Sequence, residues 1–120
     1  MSVTPLRNTR SIRERVSEAE WEARVKLAAA YRGLAHYGVA DLTYNHLSLR
    51  VPDQPDRLLI KPSGFLFDEV TASSLQKHTF DGAPAFEEDP PLRGGGLVIH
   101  AGILKAREDV KIKGERIYLA

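Results

Sequence analysis

With 120 residues, 42% of them hydrophobic and 28% charged, the chain has room for one domain and enough apolar side chain to pack a core. Seventeen Lys+Arg against sixteen Asp+Glu leave a formal net charge of +1, which excludes a general electrostatic footprint for nucleic acid or an anionic membrane. Cysteine is absent, so disulfides and thiolate metal sites are excluded as well, and no apolar run reaches the roughly 20 residues that a bilayer crossing needs.

Residues 1–16 read as a basic flexible arm. Arg7, Arg10, Arg13 and Arg15 have no apolar segment behind them, so the arm is not a secretory signal and a cytoplasmic location is the default. Ser17-x-x-Glu20 then has the form of a capping box, with Val16 and Trp21 placed as a hydrophobic staple. Trp21, Val25, Ala28, Tyr31, Leu34 and Ala35 recur at helical spacing, while Glu22, Arg24, Lys26 and Arg32 fill the other positions. Gly38 stands where a helix C′ glycine belongs, so the spacing predicts an amphipathic helix from Ser17 to Gly38.

A loop over 40–45 leads into His46-Leu47-Ser48-Leu49-Arg50-Val51. Its alternation predicts a strand with Leu47, Leu49 and Val51 on a core face and His46, Ser48 and Arg50 on a polar, exposed one. Pro52–Asp56 is a turn, and Arg57–Lys61 a second strand stopped by Pro62-Ser63-Gly64. Thr71 caps a single helical turn through Leu75, and Lys77–Phe80 is a third strand closed by the hairpin dipeptide Asp81-Gly82. Residues 83–96, with three prolines, Glu87-Glu88-Asp89 and Gly94-Gly95-Gly96, form a loop. Leu97–Arg107 regains a helical period through Ile99, Ile103 and Ala106, and the tail to Leu119 either pairs as a strand or lies loose.

The groups with chemical potential are His46, His100, Ser48, Ser63 and the glycine triplet. The triplet has neither Walker nor Rossmann spacing; it is either slack before a helix or a loop whose backbone N–H groups face an anion. The four histidines, at 36, 46, 78 and 100, show no spacing that puts two metal ligands on one strand or helix face. His100, inside the stretch Leu97–Ile103, reads as a hydrogen-bonded core histidine, and Ser63 lacks a nucleophile elbow.

Several segments, in order and with matching gaps, carry a resemblance: Leu27–Gly38, Asp41–Pro52 with Asn45-His46-Leu47-Ser48, Ile60-Lys61-Pro62-Ser63-Gly64, Asp68–Leu75, Asp81-Gly82, Ile99-His100-Ala101-Gly102 and Ala106–Val110. Over roughly residues 18–110 the sequence resembles the N-terminal part of the class II aldolase/adducin family, and is closer to its adducin-like branch. The resemblance implies an α/β/α sandwich around a mostly antiparallel sheet, truncated here: a partial domain over 17–110 followed by a divergent tail over 111–120. It implies substrate or anion binding by Thr43, Asn45, His46, Ser63, Gly64, Gly94 and Gly95, with a small phosphorylated or carboxylated ligand.

In the aldolase branch a Ser-Ser-Glu stretch supplies the acid/base carboxylate, and a His-x-His pair with a third histidine binds zinc or another divalent metal. Gly94-Gly95-Gly96 stands where Ser-Ser-Glu would be, and Lys111-Ile112-Lys113-Gly114-Glu115-Arg116 where the His-x-His strand would begin. Glycine moves no proton. The resemblance therefore implies a domain without catalytic residues, metal or other cofactor, acting in binding or assembly through self-association. Association with actin and the cytoskeleton follows by family analogy alone. The alternative is a carbohydrate-phosphate lyase or epimerase-type enzyme whose site another subunit completes.

Overall fold

The computed structural model describes residues 11–38, 46–93, 96–110, 112–114 and 118–119, with the side chains from Leu97 and from residue 111 onward left aside. Of the arm expected over 1–16, residues 1–10 lie outside the described residues. A helical turn α1 (Ile12–Arg15) follows them, capped by Ser11, whose hydroxyl accepts from the Glu14 N–H. The Arg15 guanidinium donates to the Glu88 carboxylate at 2.6 Å and stacks 4.5 Å from the Phe86 ring, so this turn is fastened to the 83–93 loop.

Helix α2 (Glu18–His36) starts where local chemistry dictates. The Ser17 hydroxyl accepts from the Glu20 N–H at 3.0 Å. At the other end Gly38, with φ +73°, takes the left-handed C′ conformation. The face it buries differs from the expected one. Glu20, Ala23, Arg24, Leu27, Ala28 and Tyr31 are buried, whereas Trp21 is half-buried and Val25 is 46% exposed. The stripe is rotated because Glu20 and Arg24, which hydropathy assigns to solvent, neutralise each other inside.

The Glu20 carboxylate does not turn back to close the capping box. It accepts from Arg24 Nε at 2.8 Å and from Lys77 Nζ at 2.5 Å, and Lys77 also donates to the Gln54 side chain at 2.7 Å. Arg24 Nη1 donates to the Leu75 carbonyl at 2.7 Å and to that of Ala72 at 3.2 Å. This charged knot joins α2 to the capped turn at Thr71–Leu75, whose Thr71 hydroxyl accepts from the Ser74 N–H as the sequence predicts.

The sheet comprises β1 (Leu47–Val51), β2 (Gln54–Ile60), β3 (Gln76–Thr79), β4 (Ile112–Gly114) and β5 (Tyr118–Leu119), in the order β3-β2-β1-β4-β5 and antiparallel throughout. The first hairpin is tighter than the expected turn. Val51 faces Gln54 directly, and an irregularity after Arg50 absorbs the extra residues of β2. The second hairpin closes at Asp81-Gly82, with Gly82 at φ +92° and its N–H on the Thr79 carbonyl. The tail pairs as a strand: Ile112 lies opposite Leu49, so β4 covers the free edge of β1.

Pairing of Leu49 with Leu59, and of Ser48 and Arg50 with Ile60 and Leu58, sorts the side chains onto two faces. On one face Leu47, Val51 and Leu59 pack with α2, with Phe67 of a 3₁₀ turn (Phe67–Glu69), and with Val70 and Leu75. On the other, Leu58 and Ile60 pack with Ala101, Leu104 and Val110, which belong to or follow a π-helical turn (Gly96–Ala101) running into α3 (Gly102–Ala106). Helix–sheet–helix layering results, as the family resemblance implies. Covering the second face corrects one expectation: Ser48 is fully buried, not exposed. The π turn corrects another. His100, Ala101 and Leu104 face the sheet, while Ile99 is 44% exposed.

Arg50 holds this second layer down. Its guanidinium donates to the carbonyls of Leu104, Arg107 and Pro55, and lies over the Phe80 ring. The loop beyond β3 is fixed by His78, fully buried, whose Nε2 lies 2.9 Å from the Pro90 carbonyl oxygen.

Two predictions follow from buried charge. Replacing Glu20 by Ala leaves two cations buried without their carboxylate and should cost about 3–5 kcal/mol in denaturant unfolding; a loss below about 1 kcal/mol would show the knot to be incidental. Burial, with Glu88 adding, pushes the Asp89 carboxyl above the usual range, against opposing pulls from His78, Arg24 and Arg15. The folded state thus holds that proton more tightly than the unfolded chain, and stability falls as pH rises through the raised pKa. Asp89→Asn should therefore raise the melting temperature at pH 7, and the gap from wild type should close as pH falls below the carboxylate range. A lower melting temperature for the variant at pH 7 contradicts this.

Candidate functional site

The groups with chemical potential gather at one end of the sheet, where β1 begins and β2 ends. Tyr31 organises this end. From α2 its hydroxyl donates to the Leu47 carbonyl and accepts from the Leu47 N–H at 2.7 Å and the Lys61 N–H at 3.4 Å. Its ring packs edge-on against Phe67, centroids 4.8 Å apart. One buried phenol thus satisfies backbone groups of both strands just where their ladder stops.

Strand β1 starts at Leu47 and the antiparallel β2 ends at Ile60, so His46 enters the sheet at the end where Pro62 leaves it. The Pro62–Phe65 turn consequently emerges beside the entry to β1. Its Phe65 N–H donates to the Pro62 carbonyl at 3.2 Å, and Gly64 sits at φ +84°, while Ser63 and Gly64 are both exposed.

Ser48 on β1 projects to the face covered by the second helical layer, and the ring of His46, which immediately precedes the strand, meets His100 on the same side. There His100, fully buried, meets both. Its Nδ1 lies 2.6 Å from the Ser48 hydroxyl, and its ring stands edge-on to the half-buried His46 ring, centroids 6.0 Å apart. The core-histidine reading of His100 holds, and its partner is Ser48.

Of the residues expected to bind an anion, the structure thus brings His46 and the Ser63-Gly64 turn to the same end of the sheet. Thr43, Asn45, Gly94 and Gly95 lie outside the described residues. The Ser48–His100 link joins side chains 52 positions apart, and a single sequence signals it only through the shared parity of His46 and Ser48 on β1. Both the serine and the imidazole are fully buried. Among the described residues no three His, Cys, Asp or Glu side chains come together as a metal-binding group.

The model of the class II aldolase and adducin N-terminal domain matches residues 25–112. An aldolase II superfamily protein from Pseudomonas syringae is 46% identical, with a TM-score of 0.79 over 85% of this chain and 42% of that one. L-fuculose 1-phosphate aldolase from Glaciozyma antarctica is 25% identical, with a TM-score of 0.73 over 93% of this chain and 44% of that one. Alpha-adducin of Rattus norvegicus is 40% identical over 90 residues, which are 73% of this chain and 12% of that protein. The chain spans less than half the length of each of these relatives.

The turn beside His46 yields its own prediction. A Cβ at Gly64 would meet nothing within 4 Å, so the cost of Gly64→Ala is conformational alone, about 1–2 kcal/mol for an L-residue held at positive φ. Ser63→Ala, on an exposed side chain, should stay within about 0.5 kcal/mol of wild type in the same denaturation series. Equal stability of the two variants would mean that the turn relaxes.

Proposed function

This chain belongs to the class II aldolase/adducin family, and on that premise we propose that its sheet end is an anion-binding site used in ligand binding and assembly, without metal-dependent aldol cleavage. The observation that carries the reading is the half-buried imidazole of His46, backed by His100 at the end of the sheet where the Pro62–Phe65 turn leaves it. An imidazole and the N–H groups of a turn are suited to phosphate or carboxylate oxygens. Aldol chemistry needs in addition a group that moves a proton and an electrophile that stabilises the enediolate. Glycines 94–96 stand at the acid/base position by resemblance and provide neither.

Self-association draws support from the outer side of the helix that carries His100. Val98 is 71% exposed and Ile99 44% exposed, an apolar pair of the kind that interfaces cover. The same pair favours a second reading, in which a neighbouring subunit seats there and completes an enzyme acting on carbohydrate phosphates.

Inorganic phosphate separates these readings from no function at all. At ten times its dissociation constant it should stabilise the protein by about 1.4 kcal/mol, several degrees in melting temperature, and His46→Ala should abolish the shift. Supplied with zinc and a sugar phosphate, the protein should release no carbonyl product. Absence of a shift at millimolar phosphate overturns the binding proposal, and zinc-dependent cleavage establishes the second reading in its place.

A further inference from the structure

The binding proposal assigns His46 to a ligand but leaves open what holds its ring. Beta strands direct alternate side chains to one face, so Ser48 follows His46 toward the helical layer. Ser48 has no exposed surface, and neither has His100. A buried hydroxyl facing a buried imidazole nitrogen at 2.6 Å fixes the imidazole about its Cβ–Cγ bond, because rotation would break a hydrogen bond that water cannot replace. The fixed ring is the surface on which His46 stands edge-on, at 85° and 6.0 Å. His46 is half-buried, so it is the member of the three that a solute can reach.

We propose that His100, pinned by Ser48, is a positioning residue that orients the His46 imidazole toward a small anion. The inference rests on the binding proposal for its ligand but not for its geometry. Ser48 touches no ligand; it acts through His100, and His100 acts through the ring of His46. Binding gains because His46 is ordered before the anion arrives, so less conformational entropy is lost on association.

The experiment compares wild type with Ser48→Ala and Ser48→Thr by NMR of the histidine rings, first alone and then with inorganic phosphate. Wild type should show a nuclear Overhauser contact between the His46 and His100 ring protons. Ser48→Ala should lose it while still melting cooperatively, and its phosphate affinity should fall roughly three- to tenfold, the scale of one hydrogen bond. Ser48→Thr, which keeps the hydroxyl, should restore both. Should Ser48→Ala not fold, Ser48→Cys, close in volume and a weak donor, carries the same comparison.

A Ser48→Ala protein that keeps the ring contact and binds phosphate as wild type does overturns the proposal. A wild-type protein with the ring contact but no phosphate response refutes the binding reading instead, and the loss or retention of the contact in Ser48→Ala then decides the positioning claim.

Discussion

The Tyr31 hydroxyl is the fixed point of this structure. Antiparallel strands satisfy one another's backbone groups only while they run side by side, and β1 and β2 part company where Leu47 and Lys61 diverge. Buried N–H and C=O groups at such a fork cost about 1–3 kcal/mol each if left unmet. A phenol can accept from two N–H groups and donate to a carbonyl at once, which no aliphatic core residue can do. Because Tyr31 sits on α2 and its ring is wedged against Phe67, the helix, the fork and the 3₁₀ turn are set in one arrangement. The entry of His46 and the exit of Pro62 take their positions from that fork.

Charge inside the helix–sheet interface plays a comparable part on the opposite flank. Arg24 and Glu20 are as buried as the leucines around them, and Lys77, Leu75 and Ala72 supply them with complementary partners. Such a knot fixes register: sliding α2 by one turn would strand three charges. Aliphatic packing tolerates small slips, whereas an ion pair with carbonyl partners does not.

These two sites also mark how far the sequence could be read. The ends of α2 were legible because a cap and a C′ glycine act within a few residues of themselves. The alternation of β1 was legible too, since Leu47, Leu49 and Val51 announce one face. What that alternation could not show was that the other face is also covered, by a layer about 50 residues further on. Ser48 therefore read as solvent-facing, and Arg24 as a surface charge, each for want of a distant partner. The π turn defeated periodicity in a different way. A wider turn shifts every later side chain around the axis, so Ile99 faces outward and His100 inward, although the 3.6-residue repeat groups Ile99 with Ile103 and Ala106.

Burying His100 has a consequence for what the site can become. A fully buried imidazole tied to a serine hydroxyl is poorly placed to ligate a metal, since one nitrogen is committed and the ring cannot swing. His46, by contrast, is half-buried and so keeps part of its ring at the surface of this end of the described sheet. A half-buried imidazole at the end of the sheet where the Pro62–Phe65 turn leaves suits the anion binding proposed above. Anion binding asks only for positioned donors, whereas aldol cleavage asks for a carboxylate and a cation to converge on one point, so the two capacities are physically separable in a fold of this kind.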